Sequence, residues 1–484
     1  MREKCGEAAW RSGKMPIQKG ATKRHLAASN EPRTKRLEAA SPQYCHTRLG
    51  ILPSAWRIAS IGAVGAVVTG NTPSTSEKEY FSGDRLFITP SDFHSGIYIS
   101  TSGRTVSDEA YKVSRVNPPN SIYVVCIGAT VGKVNICKEY GICNQQINAI
   151  VPNSNNNTLF LYYCVDYFFN RSKKKYIGQQ TLPIVSKSQF SRIQLALPPL
   201  PEQRKIAAIL ATQDKVIELK TKLLEETKRR KKALMQRLLA PMGEKRLEAA
   251  SPRGEAASCR FSAEWQIVRL SDLFLPVNRK NTENNKNILT ISAQDGLVSQ
   301  MEYYKHQYAS ADTSGYTLLK EGEFAYNKSR AGEFPYGAIK MLKKYEEGVV
   351  SPIYLCFAAK KGVCQDFWSY YFNGGMVNHG LYRIAQEGAR NHGLLNIPTD
   401  EFFNLELRVP PIAVQRRIVA MLSTADREID LMGKELNALE LKKKALMQLL
   451  LTGIVRVGEA ASCRLERAGN EAAGSRFSTR IANV

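Results

Sequence analysis

Two short segments resemble catalytic motifs in residue type and spacing, but each lacks a part that its chemistry needs. Gly128–Lys133 (GATVGK) resembles a phosphate-binding loop, but it is one residue too short, and Val134 stands where a serine or threonine would hold magnesium. Asn117–Asn120 (NPPN) resembles a motif of enzymes that modify a flipped-out base, but the aromatic residue that would stack on that base is absent. Both segments are therefore predicted to be turns.

The other residues that could do chemistry show no catalytic or metal-binding spacing. His306, His379 and His392 are not at distances typical of metal ligands. The ten cysteines never form Cys-x-x-Cys, which favours free thiols in a cytosolic protein over zinc ligands or disulfides. No nucleophile and base stand at the spacing of a catalytic pair. We expect neither a catalytic centre nor a cofactor in this chain.

Several polar loops carry side chains that suit the edges and phosphates of DNA. Glutamine and asparagine can form paired hydrogen bonds with adenine, arginine can do so with guanine, and lysine suits phosphate. The candidate DNA-binding residues are Thr69, Asn71, Thr72, Ser74, Lys173, Lys174, Lys175, Gln179, Gln180, Thr181, Asn327, Lys328, Ser329, Arg330, Arg390, Asn391 and His392. Taken singly, each loop is equally consistent with an ordinary polar turn at the surface.

The elements that must position these loops contain an internal repeat at a spacing of 212 residues. Leu195–Leu239 aligns without gaps to Leu407–Leu451, with 22 identical residues in 45 pairs. The same offset extends backwards, so that Gln179 corresponds to Asn391 and Gln180 to His392. Two copies of one segment, each following a globular region, predict a two-headed molecule with pseudo-twofold symmetry.

The repeated segments have the pattern of long helices, predicted at 201–240 and 412–451. Pro201 and Glu202 suit a first helical turn, and lysine and arginine residues cluster near both C-terminal ends. Apolar residues recur every seven positions in both, which favours an antiparallel coiled coil about 60 Å long that holds the heads apart. The alternative is that each helix packs as an ordinary amphipathic helix on its own head.

The segments before each helix alternate short β-branched runs with Gly, Pro and Asn breaks and one aromatic helix, an α+β pattern. The predicted order is a disordered basic tail (1–49), a first head (50–200), a first spacer helix (201–241), a linker with an insert (242–264), a second head (265–411), a second spacer helix (412–452) and a disordered tail (453–484). The insert and tails share the echoes KRLEAASP and GEAASC, which we interpret as translated inserts without chemistry.

The charge of the chain favours a polyanionic partner. The net charge is +24, and most of the excess lies outside the two tails. No apolar run approaches the roughly 18 residues that a membrane span needs, so no membrane association is expected.

In combination, these segments resemble the specificity subunit of type I DNA restriction-modification systems. The resemblance covers most of residues 50–452. It rests on GNTPS, GATVGKV, NQQINAIVP and LALPPLPEQRKIAAIL in the first half, and on WQIVRLSDLF, YTLLKEGEFAYNKS, EGVVSPIYLCF, AQEGARNHGLLNI and VPPIAVQRRI in the second.

That family implies two target-recognition domains on two long antiparallel coiled-coil spacer helices, each domain reading one half of a bipartite, asymmetric site in double-stranded DNA. It implies a non-catalytic cytoplasmic subunit. Its partners would be methyltransferase subunits, which carry S-adenosylmethionine, and a motor-nuclease subunit, which carries ATP hydrolysis and cleavage. Two alternatives remain from the residues alone: an interaction scaffold without specific DNA recognition, or the remnant of a fused restriction-modification enzyme.

Overall fold

The structure, a computed structural model, describes residues 44–94, 96–177, 183–240, 265–292, 296–304, 312–330, 334–387 and 395–457. These residues form two compact units. The first unit contains the described residues up to Ala207 together with those from Met447 onwards, and the second contains those between Ala208 and Leu446.

The first head lies in the first unit. Its strands are β1 (Tyr44–Thr47), β2 (Gly50–Pro53), β3 (Arg57–Ser60), β4 (Gly65–Thr69), β5 (Arg85–Ile88), β6 (Tyr98–Ile99), β7 (Arg104–Val106), β8 (Ser121–Val125), β9 (Val134–Cys137), β10 (Gly141–Cys143), β11 (Ile147–Pro152) and β12 (Gln194–Leu197). Its helices are α1 (Ile61–Val64), α2 (Asp108–Lys112), α3 (Thr158–Ser172) and α4 (Lys187–Ser191), after which the chain enters α5 (Leu200–Leu239).

A five-stranded sheet forms the centre of the first head, in the order β4-β11-β8-β9-β6. Every residue of β8 is buried, as expected for a continuous β-branched and aromatic run at the middle of a sheet. Helix α3 packs on this sheet and begins at Asn157, whose side-chain Oδ1 accepts a hydrogen bond from the Phe160 N–H at 2.9 Å. Its aromatic residues Phe160, Tyr163 and Phe169 are buried, which fixes the helix on the sheet.

The second head lies in the second unit. Its strands are β13 (Gln266–Arg269), β14 (Phe274–Pro276), β15 (Leu289–Ser292), β16 (Gly296–Ser299), β17 (Thr317–Lys320), β18 (Phe324–Asn327), β19 (Ala338–Met341), β20 (Glu347–Val350), β21 (Leu355–Ala359), β22 (Gln386–Glu387), β23 (Leu395–Asn396) and β24 (Glu406–Val409). Its helices are α6 (Leu270–Leu273), α7 (Gln300–Tyr304), α8 (Gln365–Asn373), α9 (Asn378–Ile384) and α10 (Thr399–Phe403), and α11 (Ile412–Leu451) follows.

The second head repeats the central arrangement of the first. Its largest sheet has the order β14-β21-β18-β19, so β18 lies between β21 and β19 as β8 lies between β11 and β9. Helix α8 packs against β19, and Trp368 is fully buried there. The α+β prediction for both heads is confirmed.

The two long helices pair antiparallel within the second unit, as predicted. Lys443 Nζ lies 2.6 Å from Asp214 Oδ1, and Lys231 forms the corresponding ion pair with Asp426. Both pairs obey the 212-residue offset, because Asp214 corresponds to Asp426 and Lys231 to Lys443. The paired helices therefore carry a local pseudo-twofold axis. Of the adjacent apolar residues in each heptad of α5, the second (Leu210, Leu224) is the more buried.

The second head is anchored on these helices through a shared core. Leu239 of α5 and Ile418 and Leu422 of α11 are buried in the same apolar cluster as Trp368. The hydroxyl of Tyr370 donates a hydrogen bond of 2.6 Å to Asp426 Oδ2. Burial and this carboxylate raise the pKa of Tyr370 well above its usual value, so the hydroxyl stays a donor.

A repeated glutamine ties each long helix to the proline pair that precedes it. Gln203 Nε2 donates to the Pro198 carbonyl at 3.0 Å, and Gln415 Nε2 donates to the Pro410 carbonyl at 2.9 Å. Gln203 also accepts a hydrogen bond from the Asn157 N–H at 2.9 Å, which links α5 to the start of α3. The identity of PPxxxQR in both repeats thus reflects one shared junction between head and helix.

The structure describes several residues that composition assigned to the two tails. Residues 44–47 form β1, which pairs with β2 through a tight turn in which Gly50 has a φ of +108°. After α11, Gly453 accepts a hydrogen bond of 3.3 Å from the Tyr44 hydroxyl. Composition does not reveal the Tyr44–Gly453 contact, which joins residues 409 positions apart.

Arg456 closes the first unit through a buried carboxylate. Its guanidinium Nε and Nη2 lie 2.7 and 2.9 Å from Glu202 Oε1 and Oε2. Trp56 Nε1 donates a third hydrogen bond to Glu202 Oε2 at 3.1 Å. Hydrogen bonding to Glu202 raises the pKa of Arg456, so the guanidinium stays charged. Residues after α11 thus complete the first head.

Lys340 provides a test of the second head's core. This β19 residue is 8% exposed, and its ammonium donates a 2.6 Å hydrogen bond to Asn373 Oδ1. Burial, with a smaller contribution from Lys231, lowers the pKa of Lys340 to about 8. Between about pH 8 and pH 10.5 the Lys340 ammonium is therefore protonated more often in the unfolded chain than in the folded one. The free energy of unfolding consequently rises as the pH increases through this range.

We expect Lys340→Met to raise the free energy of unfolding at pH 7 by up to about 3 kcal/mol and to remove the increase between pH 8 and pH 9.5. Urea unfolding at several pH values measures both effects. Lys343→Met is the matched control, because Lys343 is exposed and paired with Asp366. A Lys340→Met variant that is less stable at every pH would contradict the interpretation of Lys340 as a buried cation under strain.

Candidate nucleic-acid interface

The central sheets bring several loop-bearing strand ends to one edge of each head. In the first head β4, β11, β8 and β9 are successively antiparallel, so the end of β4, the start of β11, the end of β8 and the start of β9 share an edge. In the second head the same holds for the end of β18 and the starts of β19 and β21. We call these the loop edges of the two heads.

Thr69, Asn71 and Thr72 lie at the loop edge of the first head, where β4 ends. The Thr69 hydroxyl donates to Asn148 Oδ1 at 2.7 Å, and the Thr72 hydroxyl donates to Gln145 Oε1 at 2.8 Å. Between them, a Cβ at Gly70 would lie 2.2 Å from the Cys143 carbonyl oxygen, so only glycine fits. These bonds hold the end of β4 against the start of β11.

Asn71 and Ser74, the other members of this predicted group, form hydrogen bonds with different partners. Asn71 Oδ1 accepts a hydrogen bond from the Arg115 N–H at 2.9 Å, and the Arg115 guanidinium donates to the Thr69 carbonyl at 2.9 Å. Ser74 is exposed, and its hydroxyl lies 2.6 Å from that of Ser76. Arg115 thus adds a positive charge to this loop.

Lys173, Lys174 and Lys175 form a 3-10 turn at the end of α3. The Lys173 ammonium donates to the Val131 carbonyl at 2.7 Å, so this lysine helps to hold the turn between β8 and β9. Lys174 and Lys175 are exposed. The three predicted cations are therefore at the loop edge, with one in a structural bond and two facing solvent.

In the second head, Asn327, Lys328, Ser329 and Arg330 continue from β18 at the loop edge. Asn327 Oδ1 accepts a hydrogen bond from the Ser329 N–H at 3.0 Å, which closes the turn. The Lys328 ammonium donates to the Ile397 carbonyl at 3.1 Å, and burial lowers the pKa of Lys328. Arg330 is exposed.

The segments that follow the repeat-related loops lie beside these edges. Gln179, Gln180, Thr181, Arg390, Asn391 and His392 lie outside the described residues. The segments that follow them are described: the Val185 N–H donates to the Cys126 carbonyl at 2.9 Å, and the Leu395 N–H donates to the Lys328 carbonyl at 3.1 Å. Val185 and Leu395 thus each lie beside the turn that follows the central strand of their own head.

Two buried cysteines lie near the loop edge of the first head. Burial raises the pKa of Cys126 and Cys143 to about 12, so both thiols remain neutral and poor nucleophiles. Among the described residues, no group of three His, Cys, Asp or Glu side chains is arranged to hold a metal ion. No helix in the described parts of the chain is long and apolar enough to cross a membrane.

A family model of the type I restriction modification DNA specificity domain matches residues 53–229. The chain is 32% identical over 188 residues to the MjaIX specificity subunit of Methanocaldococcus jannaschii, a type I restriction enzyme subunit. That match covers 37% of this chain and 43% of the relative. The MjaVIII specificity subunit of the same organism is 22% identical over 449 residues, which are 84% of this chain and 94% of the relative.

The chain is therefore similar to type I restriction enzyme specificity subunits, and the match to their DNA specificity domain lies in its first head and first long helix. A solved structure from work on complex assembly and conformational transition of the type I R-M system shares the fold, with a TM-score of 0.52 and 15% identity over 84% of this chain and 99% of that chain. The predicted resemblance to type I specificity subunits and the predicted fold class are confirmed.

The structure adds residues that the sequence analysis did not select. Gln145 is exposed and bonded to Thr72, Arg115 is bonded to the same loop, and the turn Gly128–Lys133 lies at the same edge. The polar run NQQ directly before a β-branched strand was the one available signal. Arg115 and the turn are brought to the edge by pairings that sequence spacing does not show.

Proposed function

We propose that this chain is the DNA-recognition subunit of a type I restriction-modification complex, and that each head reads one half of a bipartite, asymmetric site. The proposal rests on the loop edge that each head has on its own sheet. Each head has polar and basic side chains at one edge of its own sheet, and the segment that lies beside this edge follows, in the sequence, a repeat-related stretch rich in Gln, Asn, Arg and His. Such side chains read base edges in the major groove.

The two classes of contact fall on different residues. Lys174, Lys175 and Arg330 are exposed and suit phosphates, which set position and affinity. Gln179, Gln180, Arg390, Asn391 and His392 suit bases, and because they differ between the two repeats, the half-sites would differ as well.

The paired helices are proposed to bind the methyltransferase subunits. Val216, Leu219 and Leu223 of α5 are 42%, 54% and 46% exposed and lie one turn apart along one side of the helix. An apolar row of this kind on a charged helix suits a protein partner. A motor-nuclease subunit would join the assembly for cleavage, and the DNA ligand would place the complex in the cytoplasm.

The direct test is DNA binding by the full chain assembled with its methyltransferase subunits. We expect one selected duplex to bind about 10³-fold or more tightly than random duplexes of equal length. Sequencing that detects methylated adenine then maps the site in the host genome. Equal affinity for all duplexes would favour the interaction scaffold, and methyl transfer by the chain alone would favour a remnant enzyme.

A further inference from the structure

The turn between β8 and β9, Gly128–Lys133, is held in a fixed conformation by its own backbone. Gly128 and Gly132 have φ values of +104° and +103°, which favour glycine. The Val131 N–H donates to the Gly128 carbonyl at 3.2 Å, and the Lys133 N–H donates to the Thr130 carbonyl at 3.2 Å. The turn is therefore closed by two consecutive internal hydrogen bonds.

Helix α3 fixes the same turn from a second side. Asn170 Nδ2 donates to the Gly132 carbonyl at 2.9 Å, and Lys173 Nζ donates to the Val131 carbonyl at 2.7 Å. The Gly128 N–H donates to the Pro183 carbonyl at 2.9 Å. Four neighbouring carbonyls, from Gly128, Thr130, Val131 and Gly132, are thus engaged in hydrogen bonds within the head.

The tip of the turn carries donors that have no acceptor among the described residues. Within the described residues, the N–H groups of Ala129 and Thr130 and the Thr130 hydroxyl meet no hydrogen-bond acceptor. Ala129 is exposed and Thr130 is half-buried. The tip therefore offers adjacent backbone donors to solvent at a position where the backbone is already ordered.

The charges around the turn favour an anion. Lys174 and Lys175 follow directly on the lysine that bonds to Val131, and both are exposed. Lys133 instead donates to the Phe93 carbonyl at 3.0 Å. Adjacent backbone N–H groups in a turn form an anion-binding concavity, and nearby cations strengthen it.

We propose that the tip of this turn, Ala129 and Thr130, is a seat for one phosphodiester of the DNA backbone. This inference rests on the proposed DNA-recognition function. The open N–H groups and the Thr130 hydroxyl donate to the phosphate oxygens, and Lys174 and Lys175 supply the surrounding positive charge. Because the turn contributes the same contact to any sequence, it positions the first head on the duplex without selecting bases.

The turn GATVGK, although it resembles a nucleotide-binding loop, suits a single phosphodiester better than a nucleotide. The turn is one residue short of that motif and lacks the hydroxyl residue that would hold magnesium, so it cannot cradle a triphosphate. A single phosphodiester carries one charge and requires only a few donors. The turn also lies on the edge that holds the other proposed DNA-contact residues of the first head.

The test compares Thr130→Asp with Asn155→Asp in the full chain assembled with methyltransferase subunits. Both variants add one negative charge to the first head, but Asn155 is an exposed residue beyond the far end of β11. We expect Thr130→Asp to weaken binding to the selected duplex and to random duplexes by the same factor, about tenfold at 0.1 M salt. Asn155→Asp leaves both affinities near that of the unmodified protein.

A change in the bases that Thr130→Asp selects would overturn the proposal, because the turn would then read sequence. Equal affinities of the two variants for every duplex would also overturn it, because no phosphate would lie at the turn. Lys174→Ala adds a second readout: it should reduce the slope of log affinity against log salt by about 1. If the unmodified complex preferred no sequence, the proposed recognition function would be wrong. The affinities of Thr130→Asp and Asn155→Asp for random duplexes would still show whether a phosphate binds at the turn.

Discussion

Exchange of residues 50–194 for the equivalent head of another family member is expected to change one half of the methylated site and leave the other half unchanged. The first head has its own sheet, its own buried core and its own loop edge, all within the first unit. The residues that correspond between the repeats are mainly those of the helices and the junctions, including Gln203 and Gln415. An exchanged head can therefore keep the junction while its base contacts change.

The measurement is the sequence context of methylated adenines in cells that carry each chimera. Because each wrong base pair costs about 1–3 kcal/mol, a new half-site of several base pairs should exclude the old site almost completely. The reciprocal exchange of residues 265–406 is the control and should change only the other half. A chimera in which both halves change would show that the heads do not read DNA independently.

Replacement of Arg456 by methionine is expected to destabilise the first unit by about 2–4 kcal/mol, although Arg456 lies far from the first head in the sequence. Glu202 is 8% exposed, and without Arg456 its carboxylate would keep only the Trp56 hydrogen bond that the structure describes beside the pair. An isolated buried charge is costly because the protein interior solvates it poorly. The expected loss of stability is smaller than for a fully buried pair because Arg456 is partly exposed to solvent.

Urea unfolding followed by tryptophan fluorescence measures this loss. Arg85→Met is the matched control in the same unit, since its pair with Asp108 is exposed and should contribute far less. The double variant Glu202→Gln, Arg456→Met should regain part of the stability because it removes the unpaired charge. An Arg456→Met protein as stable as the Arg85→Met protein would show that the pair does not close the first unit.

Local pattern predicted the elements of this fold well, and non-local pairing explains what it missed. The apolar and aromatic spacing of LFLYYCVDYFFN predicted α3, and the repeat predicted α5 and α11 to within a residue or two. The helical pattern within each of these segments arises from residues three or four positions apart. By contrast, Arg456 is held by Glu202, 254 positions away in the sequence. Strand β1 is held by a short hairpin of ordinary composition and by the contact of Tyr44 with Gly453.

The candidate interface divides in the same way. Residue type alone selected Thr69, Asn71 and Thr72, and the structure places them on the loop edge together with Gln145 and Asn148. Residue type could not show that the Lys173 ammonium holds a turn, because that requires the position of the Val131 carbonyl. It also could not show which backbone donors stay open at Ala129 and Thr130.

The ion pairs Asp214–Lys443 and Asp426–Lys231 make each long helix complementary to a copy of itself. Because the two repeats hold the same acid and the same base at matching positions, an α5 helix facing a second α5 would meet Lys231 opposite Asp214 twice over. A shorter polypeptide with one head and one helix therefore already contains the information for a symmetric homodimer. Such a homodimer would present two identical heads related by a twofold axis.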